Sequence, residues 1–161
     1  MKALVTGSTG MLGHNLVREL LEGGWEVRAL VRSKQKASKL FGNLALEVFE
    51  GDMENVAGFA HALEGVDVVF HTAAYFREYY SAGDHWPILK RINVDATLEL
   101  VAAAEKHGVA TFMLFQLRPL RLSGLAAYRA ILPVRHGAAL HGLCWLRSAR
   151  LNLSLRTDRL F

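Results

Sequence analysis

A short apolar run, Ala3-Leu4-Val5-Thr6, leads directly into Gly7-Ser8-Thr9-Gly10-Met11-Leu12-Gly13, after which Leu12, Leu16, Val17, Leu20 and Leu21 recur at helical spacing. A glycine-rich turn between a strand and a helix is suited to holding a pyrophosphate. Gly7 permits a sharp turn, Gly10 lets a phosphate approach the backbone, and Gly13 lets the helix pack on the strand. The helix N-terminus offers unpaired N–H groups and a partial positive charge. Placement carries the argument, because the same glycines elsewhere would signify little.

Elements able to position such a turn follow through the first 115 residues. Val27 to Val31 is a second strand, with Gly23-Gly24 ending the helix before it. Lys34 to Lys39 is a charged, helical connection, and Leu46 to Phe49 a third strand. Val56, Phe59, Ala60 and Leu63 predict a helix closed by Gly65, and Val66 to Phe70 a fourth strand. Ile88 to His107 predicts a helix whose apolar stripe is Ile92, Leu98, Val101 and Ala102, followed by a fifth strand from Val109 to Phe115. Strands joined by helices imply an α/β fold, with a parallel sheet, right-handed crossovers and helices on both faces.

Beyond residue 115 the usage changes. Residues 1–115 carry 11 Lys and Arg against 14 Asp and Glu, a net of −3. Residues 116–161 carry 8 Arg, 12 Leu, no Lys and one acid, Asp158, a net of +7. The basicity of the chain, +4 in all, therefore belongs to its last 46 residues. Short basic amphipathic helices are expected at 126–132 and 138–150. One cysteine, Cys144, can form no internal disulfide, which fits a reducing, cytoplasmic setting. No apolar run reaches the ~20 residues that span a bilayer, and Lys2 to Val5 runs into the glycine turn without a cleavable leader.

The threonine-glycine-x-x-glycine-x-x-glycine spacing of Thr6 to Gly13 resembles the extended short-chain dehydrogenase/reductase superfamily. Within it the chain resembles the NAD(P)-dependent epimerase/dehydratase and dihydroflavonol-reductase-like group over roughly residues 1–112. Gly51-Asp52-Met53 matches the family's glycine-aspartate-apolar motif, whose carboxylate accepts from the adenine amino group. Asp67-Val68-Val69-Phe70-His71-Thr72-Ala73-Ala74 matches its aspartate-x-valine-x-histidine-x-alanine-alanine motif, whose small residues admit the cofactor ribose and nicotinamide. Asn93-Val94-Asp95-Ala96-Thr97 is similar to asparagine-valine-x-glycine-threonine, with Ala96 in place of glycine; there the asparagine supports a water near the active-site lysine. The resemblance implies a doubly wound, Rossmann-like sheet, truncated here after about five strands. It also implies a dinucleotide-binding domain at 1–115, with a tail of uncertain structure at 116–161.

The cofactor-binding candidates are Thr6, Gly7, Thr9, Gly10, Met11, Leu12, Gly13, Arg32, Asp52, Met53, Thr72, Ala73 and Ala74. Asp52 has two readings, an adenine acceptor or a helix N-cap. His71 is either a structural donor at a strand end or a proton shuttle. Tyr75, Phe76, Tyr79 and Tyr80 either line a substrate pocket or pack in a loop. Val31-Arg32-Ser33-Lys34 lacks the carboxylate that would bind a ribose 2′-hydroxyl, and Arg32 can pair with a 2′-phosphate. NADP is thus favoured over NAD, against the alternative of a solvated basic loop.

Family catalysis uses a tyrosine with a lysine four residues on, so that both leave one helix face and the lysine lowers the tyrosine pKa. Four residues after Tyr75, Tyr79, Tyr80 and Tyr128 stand Tyr79, Gly83, Asp84 and Leu132, and Gln116-Leu117 replaces the expected serine pair. No catalytic residue is assigned, and Tyr80 is the one substitute donor nominated. Three function classes follow. The first is the nucleotide-binding portion of a reductase or epimerase acting on a small or sugar-like substrate. The second is an active oxidoreductase using other groups, such as His136, His141 or Cys144. The third is a nucleic-acid or membrane-surface binder through the basic tail, ranked last; no specific nucleic acid or membrane partner is expected. An uncovered sheet edge would also invite self-association.

Motif loss and the change in residue usage coincide at 112–118, which marks residues after about 115 as a frameshifted or otherwise aberrant tail. The missing tyrosine–lysine pair should then appear in another reading frame of the encoding DNA; its absence from every frame would refute a frameshift.

Overall fold

A computed structural model describes residues 1–75, 83–116 and 128–133. Ala3, Leu4, Val5 and Thr6 have no solvent exposure, as a central strand covered on both faces requires. They form β1 (Lys2–Thr6), which is followed by α1 (Met11–Glu22), β2 (Glu26–Val31), α2 (Lys34–Phe41) and β3 (Glu47–Glu50). After β3 come a 3-10 turn at Met53–Asn55, α3 (Val56–Phe59), a second 3-10 turn at Ala60–Leu63, and β4 (Val68–His71). Next are α4 (Trp86–Lys90), a π-type turn at Arg91–Asp95, α5 (Ala96–Lys106), β5 (Thr111–Gln116) and β6 (Tyr128–Pro133).

The strand order is β3-β2-β1-β4-β5-β6, with the first five strands parallel and β6 antiparallel to β5. The five-stranded parallel sheet agrees with the doubly wound expectation. Side chains of successive strand residues leave opposite faces, and the burial sorts accordingly. Leu4, Leu30, Val69 and Phe112 pack with Met53, Val56, Phe59, Leu63, Leu100 and Ala104 on the α3 and α5 side. Ala3, Val5, Ala29, Val31, Phe70 and Met113 pack with Val17, Leu20, Ala37 and Phe41 on the α1 and α2 side. The chain leaves β1 in one direction toward β3 and returns to its other flank at β4. Between the C-terminal ends of β1 and β4 lies the switch point at which such sheets bind ligands.

Three expectations need correction. The helix predicted from Ile88 is interrupted by the π-type turn, whose extra residue rotates everything after it by about 100°. The buried face of α5 is therefore Ala96, Thr97, Leu100 and Ala104, while Leu98, placed in the apolar stripe, is 52% exposed. The helix over Val56–Leu63 is one α-helical turn passing into 3-10 geometry, with Asn55 Oδ1 accepting from Gly58 N at 3.2 Å. The helix expected at 126–132 is instead β6, paired from Gln116↔Tyr128 to Thr111↔Pro133. An outer β5 would otherwise present a row of unpaired N–H and C=O groups, and Tyr128 and Ile131 are strand formers. Pro133, which lacks an N–H, sits at the end of the ladder. β5 is thus covered on that side, and β6 is the outer strand of the sheet. The helix expected at 138–150 lies outside the described residues. Among the described residues, no helix is long and apolar enough to cross a membrane.

Candidate functional site

Gly7 closes β1 with φ +66°, and a Cβ there would stand 2.6 Å from the Ala73 nitrogen. The turn therefore touches the end of β4 backbone to backbone. Gly10 N donates to Gly7 O at 2.9 Å. Gly10 itself is extended (φ −78°, ψ 166°), and a Cβ on it would meet only Gly7 O, at 3.2 Å, so the rest of that side is open. Gly13 has the opposite character. A Cβ there would collide with the Gly7 carbonyl and lie 2.8 Å from Ser8 Cα, so α1 rests on the turn itself rather than on the strand. Ser8 Oγ, given no role by the sequence, donates to Leu30 O at 2.8 Å and ties the turn to β2.

The start of α1 has no side-chain cap and no acid in its first turn. Its first intrahelical bond runs from His14 N to Gly10 O at 2.8 Å, which leaves the N–H groups of Met11, Leu12 and Gly13 ahead of the ladder. The Met11 and Leu12 side chains are exposed. Beside the turn, Thr9, Arg32, Lys36, Lys39 and Leu40 line a cleft of about 400 Å³. Ser33, grouped with Arg32 by the sequence, accepts from Lys36 N at 3.4 Å and caps α2; Lys34 does not line the cleft. Lys36 and Lys39 were missed, although their spacing of three on a helix places them on one face.

Asp52 Oδ1 accepts from Glu54 N at 3.0 Å, so its capping role is realised, and the residue is exposed. Met53 is buried in the core. A Cβ at Gly51 would stand 2.8 Å from the Phe59 side chain, which explains the glycine of this motif by packing.

At the end of β4, Thr72 Oγ1 donates to Thr6 O at 2.7 Å, and Ala73 N donates to Thr6 Oγ1 at 3.4 Å. His71 is 1% exposed and packs on Phe112 with ring centroids 5.9 Å apart. Its Nδ1 lies 2.6 Å from Thr6 Oγ1 and its Nε2 3.1 Å from Thr97 Oγ1. Thr97 Oγ1 also reaches Asn93 O at 3.1 Å, and a proton directed there leaves the oxygen able to accept from His71 Nε2. That arrangement corresponds to the Nε2–H tautomer, with Nδ1 accepting from Thr6. Both ring nitrogens of His71 therefore have a threonine hydroxyl as partner.

Asn93 lies in the π-type turn and holds the backbone of Tyr75 at both polar groups. Tyr75 N donates to Asn93 Oδ1 at 2.7 Å, and Asn93 Nδ2 donates to Tyr75 O at 3.0 Å. Asn93 thus clamps the segment after β4. Tyr75 Oη lies 3.2 Å from His85 Nδ1, a pairing that ten residues of separation concealed. Phe76, Tyr79, Tyr80, His136, His141 and Cys144 lie outside the described residues.

A family model described as NAD(P)H-binding matches residues 7–118. The chain is 41% identical over 109 residues to sterol demethylase protein B of Methylococcus capsulatus, a match covering 68% of this chain and 32% of that protein. It is 37% identical over 115 residues to a 3-beta-hydroxysteroid dehydrogenase of Mycolicibacterium neoaurum, covering 70% and 31%. Among solved structures, MoeE5 in complex with UDP-glucuronic acid and NAD is similar at a TM-score of 0.55 and 32% identity, over 68% of this chain and 34% of that one. The chain spans about a third of the length of these curated relatives.

Burial lowers the His71 pKa from 6.5 to about 4. The unfolded chain therefore binds a proton between those values that the folded chain refuses. This contribution to stability is complete above about pH 6.5 and is lost progressively toward pH 4, by up to about 3 kcal/mol. Urea midpoints between pH 7 and 4 should fall more steeply for the wild type than for His71→Gln; parallel curves would contradict the assignment.

Proposed function

The chain belongs to the NAD(P)H-binding family of the extended short-chain dehydrogenase/reductase superfamily, with a dinucleotide as its cofactor, and we propose that it prefers NADP(H) and lacks the family's tyrosine–lysine pair. The observation that carries this reading is the open side of Gly10, facing an uncapped helix start with a cationic cleft beside it. In this reading the N–H groups of Met11, Leu12 and Gly13 hold the pyrophosphate, with Thr6, Gly7 and Thr9 shaping the turn around it. Arg32, Lys36 and Lys39 take the 2′-phosphate, for which three cations and no carboxylate line the cleft. Asp52 keeps Oδ2 for the adenine amino group while Oδ1 caps, and buried Met53 supports it from below. Thr72, Ala73 and Ala74 leave room for the ribose and nicotinamide at the switch point.

When bound, the cofactor supplies hydride exchange, which in this lineage takes place at a carbinol or ketone carbon of a small or sugar-like substrate. The match of the family model ends at residue 118, close to the change in residue usage, while β6 still joins the same sheet from beyond it. The second reading, an oxidoreductase with other acid–base groups, is favoured by one observation. Tyr75 and His85 are paired just beyond Ala74, at the ligand end of β4.

Titration of nicotinamide fluorescence tests the site. Gly10→Val should abolish NADPH binding and leave the far-ultraviolet circular dichroism unchanged, because only Gly7 O crowds the new side chain. Arg32→Ala should weaken NADPH by about tenfold or more and NADH far less, since a charge-assisted contact to the phosphate is lost. Equal losses for both cofactors would reduce Arg32 to stacking on adenine. Turnover decides between the two readings. Without a proton donor and oxyanion support, rates fall by about 10²–10⁴ for the acid–base part alone, so NADPH oxidation by ketones, aldehydes or nucleotide sugars should be negligible. Robust turnover lost in Tyr75→Phe or Tyr80→Phe would establish the second reading.

A further inference from the structure

We propose that His71 is a positioning residue for the dinucleotide, its neutral ring fixing the glycine turn and the segment after β4 relative to one another. The inference rests on the dinucleotide reading above. Thr6 is the last residue before Gly7, and its hydroxyl bridges to Ala73 N across the crevice. That hydroxyl has a single proton, and the lone pair on His71 Nδ1, 2.6 Å away, claims it. The oxygen of Thr6 is thereby turned to accept from Ala73. At the ring's other nitrogen, Thr97 Oγ1 accepts from Nε2 and passes its own proton to Asn93 O. Asn93 in turn holds both backbone groups of Tyr75.

One imidazole therefore joins two threonine hydroxyls, Thr6 of β1 and Thr97 of α5. A purely apolar ring in its place would fill the space beside Phe112, leave the Thr6 proton without its acceptor and remove the donor to Thr97 Oγ1. The arrangement needs the ring uncharged, because a proton on Nδ1 would remove the acceptor that orients Thr6. Burial among Thr6, Thr97 and Phe112 keeps it so: the depressed pKa arises from desolvation.

Affinity for NADPH is first measured on the full wild-type chain. Absence of binding there would defeat the dinucleotide reading itself, not the role of His71. Given binding, Thr6→Val and Thr97→Val should each weaken it by about three- to tenfold, the range for one directed hydrogen bond, and Thr6→Ser should restore it. In a His71→Leu background, Thr97→Val should have no further effect on affinity. Losses that multiply independently in both backgrounds, or a Thr97→Val affinity equal to wild type, would overturn the proposal. Should His71→Leu fail to fold, nitrogen chemical shifts of the wild-type ring decide the matter. The proposal requires the Nε2–H tautomer at pH 7, and an Nδ1–H tautomer or titration near 6.5 would refute it.

Discussion

Two backbone segments run closer at the switch point than any side chain would allow. Gly7 passes over Ala73 at a distance where even a methyl group would lie 2.6 Å from the amide nitrogen. Around this contact the rest is arranged. The Thr6 side chain spans to β4, α1 sits on the turn because Gly13 also lacks a Cβ, and Ser8 anchors the far side to Leu30. An alanine at residue 7 would combine a left-handed backbone conformation with a clash against main chain, which cannot swing aside as a side chain does.

The parts legible in the sequence are those fixed by local rules. Apolar runs two to three residues deep gave β1, β2 and β4 their positions, since a strand covered on both faces needs little else. The glycine turn was readable because each glycine answers a different steric demand, and two of the three demands are met by atoms of the chain itself. Gly10 is the exception: a Cβ there would press only on the Gly7 carbonyl, at 3.2 Å, and the rest of its surroundings is open to something that approaches from solvent.

What escaped the sequence depends on geometry built by distant residues. The π-type turn at Arg91–Asp95 has no simple composition signal, yet it decides that Leu100 rather than Leu98 meets the sheet. Lys36 and Lys39 join Arg32 only once α2 is laid against β2 and its cationic face turned toward Thr9. The Asn93 clamp and the Tyr75–His85 pair span a gap between β4 and α4 that no spacing rule covers. β6 was misread because a basic, leucine-rich stretch suits an amphipathic helix by composition, while an open sheet edge offers a ladder of partners that composition does not register.

The position of β1 also governs the order in which the chain can fold. It pairs with β2 through registers such as Lys2↔Glu26, 24 residues apart across the turn and α1, but with β4 through registers such as Ala3↔Val68, 65 residues apart. That pairing has the largest sequence separation in the parallel sheet, so its closure entropy is the greatest and its formation the slowest of the parallel ladders. Until β4 docks, β1 is an apolar edge open to other chains, and the crevice does not exist. The ligand end of the molecule is therefore assembled late, and a nascent chain ending before residue 68 carries the glycine turn without the wall that gives it shape.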